Sequence, residues 1–284
     1  MDEVKRNKTL VKNIFLLYFP LLFLGIFFLF PFFWMAITSI KPDRELYNLA
    51  QSPFVVKAPT LEHFTYLFTK MPFLTWMRNS FIVAGCSTLV SLAIGSLAGY
   101  SVARLRFPGA SAIGMGIFIT YLVPRTLLFL PLAHVLRSLG LANSVVSLVV
   151  TYPTFLVPFC TWILMGYFAT IPKEIEECAI IDGCSRMGAF VKIVLPLATP
   201  GIIAAGVFAF TLSWTEFVYA LSFIQLESQK VLTVGVVGQL VKGDVFLWGS
   251  LMATALMASI PLAVIYGVLQ RHFISGLTAG AVKY

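Results

Sequence analysis

Six predominantly apolar stretches, each long enough for a bilayer crossing, alternate with short polar segments near 14–38, 79–103, 111–136, 143–168, 199–224 and 247–270. A hydrocarbon core about 30 Å thick takes about 20 helical residues at 1.5 Å each, so each stretch predicts one membrane-spanning helix. Six crossings place both termini on one side. Prolines inside the spans, Pro124, Pro131, Pro153, Pro158 and Pro261, free carbonyls and predict kinks, which membranes tolerate where neighbouring helices or water satisfy the backbone. Broken helices suit a moving pathway, and kinked structural helices are equally common.

Composition sharpens this reading. Only 11% of the 284 residues are charged and 59% are hydrophobic, against about 25% charged in ordinary soluble domains. The chain is expected to be an all-α integral membrane protein with a tail 1–13, a six-span domain 14–270 and a tail 271–284. No Pro-Gly-Ser linker or low-complexity tract marks a separate soluble domain. The net charge of +8 comes from basic residues scattered between apolar runs, which excludes a nucleic-acid-binding stripe. With both termini in the cytoplasm, eleven Lys and Arg lie inside and eight outside, with Arg125 left in a span. That bias is modest but follows the positive-inside rule. It places 169–198 inside and the loops 41–78 and 225–246 outside.

The basic start, Lys5, Arg6, Lys8 and Lys12, ahead of the apolar run Ile14 to Ile37 mimics a signal peptide. Its run exceeds the usual 7–15-residue apolar core, so a retained first span is expected. Cys86, Cys160, Cys178 and Cys184 lack paired C-x-x-C spacing, which argues against a disulfide framework or a zinc site. In the second span Ser87, Ser91, Gly95, Gly99 and Ala103 recur at i+4 and form a smooth ridge. Such a ridge serves close helix packing inside the chain or against a partner membrane subunit.

Between the fourth and fifth spans runs Ile171-Pro172-Lys173-Glu174-Ile175-Glu176-Glu177-Cys178-Ala179-Ile180-Ile181-Asp182-Gly183, continuing to Ile193-Val194-Leu195-Pro196. Pro172 suits a first helical turn, and the early glutamates complement the helix dipole. Gly183 supplies either a helix stop or a flat spot for close backbone approach. A second short helix is predicted from Met187 to Val194, ended by Pro196.

This segment resembles the signature loop of the membrane subunits of ATP-binding-cassette importers, the binding-protein-dependent transport inner membrane components. Their pattern is Glu-Ala-Ala-x-x-x-Gly followed by Ile-x-Leu-Pro. Glu177, Cys178, Ala179, Gly183, Ile193, Leu195 and Pro196 fall on it, with Cys178 replacing the first Ala, and Asp182 lies within it. The resemblance implies a loop that receives motion from a separate ATPase. The rival reading, a helix lying on the bilayer, lacks the basic face that anionic lipid favours. No G-x-x-x-x-G-K-[ST] loop occurs, so ATP and magnesium chemistry is assigned to partner chains and this chain binds no cofactor or metal. Without H-E-x-x-H or G-x-S-x-G, and with His63, His134 and His272 scattered, an intramembrane enzyme is the weaker reading.

Three further stretches resemble the smaller membrane subunit of maltose-type carbohydrate importers: Ala103–Gly109, Ser213–Phe217 and Gly276–Lys283. The resemblance implies the type I importer fold in the bacterial inner membrane. It also implies a second membrane subunit, two ATPase subunits, an external solute-binding protein and a sugar as cargo. The tail residues Gly276, Leu277, Thr278, Ala279 and Gly280 read physically as a disordered end or a thin strand for insertion, and the resemblance assigns them to ATPase contact. The outer segment with Gln239, Lys242, Gly243 and Asp244 corresponds to a loop that touches the binding protein.

Arg125 and Glu216 stand out inside spans, where a charge at helix centre costs about 2.5–3.5 kcal/mol and needs a partner or water. Straight-helix counting puts both about 20 Å deep, within reach of each other. Tyr121, Tyr152, Trp214 and Tyr219 lie at similar depth, and aromatic faces with polar groups suit a sugar. A structural ion pair and a pathway role stay open for the two charges. The rival to an ATP-driven importer is an ion-coupled carrier, for which Glu216 is the one candidate carboxylate and no inverted repeat is visible. Within the importer class, a non-sugar solute is the alternative.

Overall fold

The computed structural model describes residues 14–48, 50–105 and 107–281, with the side chains of 14, 15, 242 and 271–281 excepted. The chain is helical nearly throughout. Four helices are long and apolar enough to cross a membrane: Leu16–Ser39, Phe73–Arg104, Val145–Thr170 and Trp248–Gln270. Two bent pairs bring the number to six if each counts as one span: Ala110–Leu122 with Arg125–Ser138, and Arg186–Leu197 with Thr199–Trp214.

The first pair bears out the kink expected at Pro124, and the fifth span departs from its expected bounds. The third span turns by 93° at Val123-Pro124, because proline pushes its predecessor out of the α region and supplies no N–H. The expected fifth span 199–224 stops at Trp214 and resumes as the short helix Val218–Phe223. Upstream of it, Pro196 does not end the helix as expected. A π-helical turn at Phe190–Val194 precedes it, and the 76° bend falls after Leu197.

The chain divides into two compact units, Met1–Met71 with Leu240–Ser259, and Pro72–Gln239 with Ile260–Tyr284. In the first, the apolar face of Leu16–Ser39 meets little protein, and Leu22, Phe23, Phe27 and Leu29 stand exposed. A surface this apolar requires lipid or a partner. The loop after this span is ordered from within. Buried Lys41 donates to the carbonyls of Ser52 and Pro53 at 3.2 and 2.6 Å. The Glu45 carboxylate accepts the backbone N–H groups of Lys57 and Ala58 at 3.1 and 2.9 Å. A two-stranded hairpin, Val241–Lys242 with Val245–Phe246, completes the unit with the first turns of the last helix.

In the second unit the helices Phe73–Arg104 and Pro153–Thr170 pack lengthwise. The small-residue ridge makes this approach. A Cβ on Gly95 would lie 2.7 Å from the Cys160 Cβ, and one on Gly99 would lie 3.0 Å from the Met165 nitrogen. Ser87 and Ser91 are fully buried on the same face, so the ridge serves packing within the chain. Around it Leu148, Tyr152, Leu156, Leu164 and Phe168 form the core.

Candidate functional site

The segment after Thr170 is built as a helix with two well-defined ends. Pro172 precedes Lys173–Ile181, whose first turn carries Glu174 and Glu176. At its C-terminus Gly183 is left-handed, with φ of 92°. The Cys184 N–H donates to the Ala179 carbonyl at 3.0 Å and the Gly183 N–H to Ile180 at 3.1 Å. These two bonds are the Schellman arrangement, which closes a helix where glycine lacks the Cβ penalty. Gly183 is therefore the stop, and among the described residues nothing lies within 4 Å of where its Cβ would be. Ser185 then caps the next helix by accepting from the Gly188 N–H at 3.1 Å.

The residues picked out by pattern divide between two faces. Glu177, Cys178, Asp182, Gly183 and Pro196 are exposed, Ile193 and Leu195 are half-buried, and Ala179 is buried. Ile181 is 83% exposed. The inward face holds a group that pattern-matching passed over. Glu176 is buried and accepts from the Tyr100 hydroxyl, Arg104 donates to the Ile171 carbonyl, and the Tyr100 ring lies 4.4 Å from that of Phe190. Helical spacing was the available signal. Glu176 and Ala179 at i and i+3 share one face, which marks the side turned to protein.

The second candidate region gathers where the broken spans meet. Buried Glu216 accepts from the Tyr152 hydroxyl at 2.9 Å. It also accepts from the backbone N–H groups of Tyr219, at 3.0 and 3.1 Å to its two oxygens, and of Ala220 at 3.2 Å. Its carboxylate thus caps the helix Val218–Phe223, where the dipole favours a negative charge. Arg125 begins the helix after Pro124 and sits 4.1 Å from the Phe155 ring centroid, a cation–π contact. Among the described residues no Arg125–Glu216 ion pair forms within 4.0 Å. Each charge has its own partners.

Around them Tyr152 and Tyr219 are buried with ring centroids 6.4 Å apart, and Tyr219 stands 5.9 Å from Phe155. Tyr121 is more open and lies 5.8 Å from Phe159. Trp214 is stacked on Phe210 and edge-on to Phe81.

The remaining candidates are placed individually. Gln239 lies in the helix Leu232–Leu240. Lys242 is in the first strand of the hairpin, and Gly243-Asp244 is its two-residue turn, with Gly243 at φ of 60°. A two-residue turn that twists with its strands needs a positive φ there. The tail expectation is corrected. Gly276, Leu277, Thr278, Ala279 and Gly280 continue the helix Trp248–Ala281, because extending an existing helix costs far less than nucleating one. Residues 1–13 and 282–284 lie outside the described part.

Residues 91–278 match the family model described as the binding-protein-dependent transport system inner membrane component. The sulfoquinovosyl glycerol transport system permease protein of Agrobacterium fabrum is 37% identical over 90% of this chain and 89% of that one. The trehalose/maltose transport system permease protein of Thermococcus litoralis is 33% identical over 98% and 99%. The diacetylchitobiose uptake system permease protein of Streptomyces coelicolor is 33% identical over 92% and 94%. In fold the chain resembles a bacterial ABC transporter involved in import of the acidic polysaccharide alginate. The TM-score is 0.77 at 18% identity, over 95% of this chain and 98% of that one.

Proposed function

From the premise that the chain belongs to the family of binding-protein-dependent transport system inner membrane components, we propose that it is a sugar-specific permease subunit of an ATP-driven importer. The observation that carries this reading is the loop 169–198. Its first helix, Lys173–Ile181, is closed at its C-terminal end by the turn at Gly183, seated on the bundle by one face, and presents Glu177 and Ile181 on the other. A rigid exposed element of this kind fits the cleft of a separate ATPase subunit. The relatives named for sulfoquinovosyl glycerol, trehalose or maltose, and diacetylchitobiose support a saccharide as cargo.

In this reading the termini and the loop 169–198 face the cytoplasm, and the hairpin at Gly243 faces outward toward a solute-binding protein. A second membrane subunit completes the pathway, and two ATPase subunits hold ATP and magnesium. The helical tail around Gly276 to Gly280 reaches the ATPase pair. Tyr121, Arg125, Tyr152, Trp214, Glu216 and Tyr219 belong to the translocation region. Glu216 shapes that region by fixing the break between Trp214 and Val218, rather than by pairing with Arg125.

The test is purification of the tagged chain from its native membrane, with mass spectrometry of bound proteins and uptake of labelled saccharides in cells with and without it. A second membrane subunit and a nucleotide-binding subunit are expected to co-purify, and uptake of one saccharide is expected to depend on the chain. Unchanged uptake of every saccharide alongside loss of another solute would overturn the sugar assignment.

A further inference from the structure

The exposed glutamate of the loop, Glu177, is the one its sequence pattern selects, but the loop is fastened to the bundle by its neighbour. Glu176 is 7% exposed and receives the Tyr100 hydroxyl on Oε1. Arg104, the last residue of the long helix Phe73–Arg104, donates from Nη2 to the Ile171 carbonyl just ahead of the loop helix. Tyr100 in turn packs between Phe168, at the end of the fourth span, and Phe190, in the π-helical turn that leads into the fifth. Four chain segments therefore meet on two residues of one helix end.

The junction is incomplete on one side. The Arg104 Nε stands 3.9 Å from the Glu176 Oε2, too far for a hydrogen bond. Among the described residues its Nε and Nη1 are buried with no hydrogen-bond acceptor. An unsatisfied buried guanidinium N–H is costly, whereas a charge-assisted bond forms at about 2.7–2.9 Å. A displacement of the loop helix of about 1 Å toward Arg104 is all that separates the two arrangements.

We propose that Tyr100, Arg104 and Glu176 form a two-position latch that transmits movement of the loop helix to the second span. In the position seen here Glu176 is held by Tyr100 and the Arg104 bond is open. In the other the loop helix moves as a body and the Arg104–Glu176 ion pair, 3.9 Å apart here, tightens into a hydrogen bond. Packed elements shift between discrete arrangements of this kind rather than deforming smoothly. The inference rests on the reading of the loop as the ATPase contact. It adds inward-facing positioning residues that leave the exposed face, and hence docking, untouched.

The experiment uses the complete transporter with its ATPase and binding protein in sealed vesicles, reading saccharide moved per ATP hydrolysed and the amount of ATPase co-eluting with this chain. Glu176→Gln keeps the shape and the acceptor for Tyr100 but removes the charge. It is expected to retain ATPase at wild-type yield and to lower saccharide moved per ATP by about tenfold, the scale of one charge-assisted bond made in only one state. Glu176→Asp, which keeps the charge, is expected to retain more coupling than the better-fitting Gln, an order that a packing role would reverse. Tyr100→Phe keeps the ring against Phe168 and Phe190 and decides the matter if Glu176→Gln fails to assemble. It too is expected to lower the ratio. Wild-type uptake with unaltered ratios in both Tyr100→Phe and Glu176→Gln overturns the latch alone. Wild-type vesicles that take up no saccharide with ATP overturn the transport reading itself.

Discussion

At Gly183 two physical explanations for a glycine give opposite substitution orders. If the residue were a flat contact point, Ala would be tolerated better than the larger Asn. The left-handed φ of 92° with open space around the missing Cβ points to backbone strain instead. Asn enters the left-handed region more readily than Ala, for which the penalty is about 1–2 kcal/mol. Gly183→Asn is therefore expected to preserve more ATPase co-purification and sugar uptake than Gly183→Ala; the reverse order would return the residue to a contact role. The same reasoning from partners applies to Arg125 and Glu216. Glu216 is engaged by one hydroxyl and two backbone N–H groups, and Arg125 by the Phe155 ring. Glu216→Leu should thus be the more damaging single change, since it strips buried donors of their acceptor at about 1–3 kcal/mol. Arg125→Leu and Glu216→Leu should add to within about 0.5 kcal/mol in folded yield. Rescue of one by the other would instead show an ion pair.

The element that organises the second unit is the contact between Phe73–Arg104 and Pro153–Thr170, and one helix supplies both the probe and its control. A side chain at Gly95 collides with Cys160, while one at Gly85 meets nothing within 4 Å among the described residues. Gly95→Val should cost upward of about 1–3 kcal/mol by overpacking, seen as loss of folded protein on detergent gel filtration. Gly85→Ala should be neutral or slightly stabilising, because alanine has the higher helix propensity. Equal yields for the two would mean that the ridge packs elsewhere. The broken elements follow a related logic. Pro124 and the Glu216 cap each end one helix and start another within a few residues, and this turns residues expected on straight rods onto common ground beside Tyr152.

For the whole molecule the expected topology has both ends on the cytoplasmic side. In a background with Cys86, Cys160, Cys178 and Cys184 replaced, a cysteine at Ser228 should react with an impermeant thiol reagent added to intact cells. One at Ser275 should react only after the membrane is opened; labelling of Ser275 from outside would invert the assignment. The apolar runs, the polar loop with its Glu177-to-Gly183 spacing, and the absence of a phosphate loop were all legible in the sequence. Segment hydropathy, turn chemistry and motif spacing are local properties that a linear chain carries openly. The separate partners of Arg125 and Glu216, the extension of the last helix through the tail, and the placing of Glu176 beside Tyr100 were not legible. Their outcome depends on where helices bend and which distant groups then compete for each charge. A bend of 93° re-aims every side chain beyond it. The sequence alone therefore determined a multi-span membrane protein with a loop that resembles the importer signature. The tertiary structure decided what the inward-facing Glu176 meets, because only packing brings the distant Tyr100 hydroxyl and Arg104 guanidinium to it.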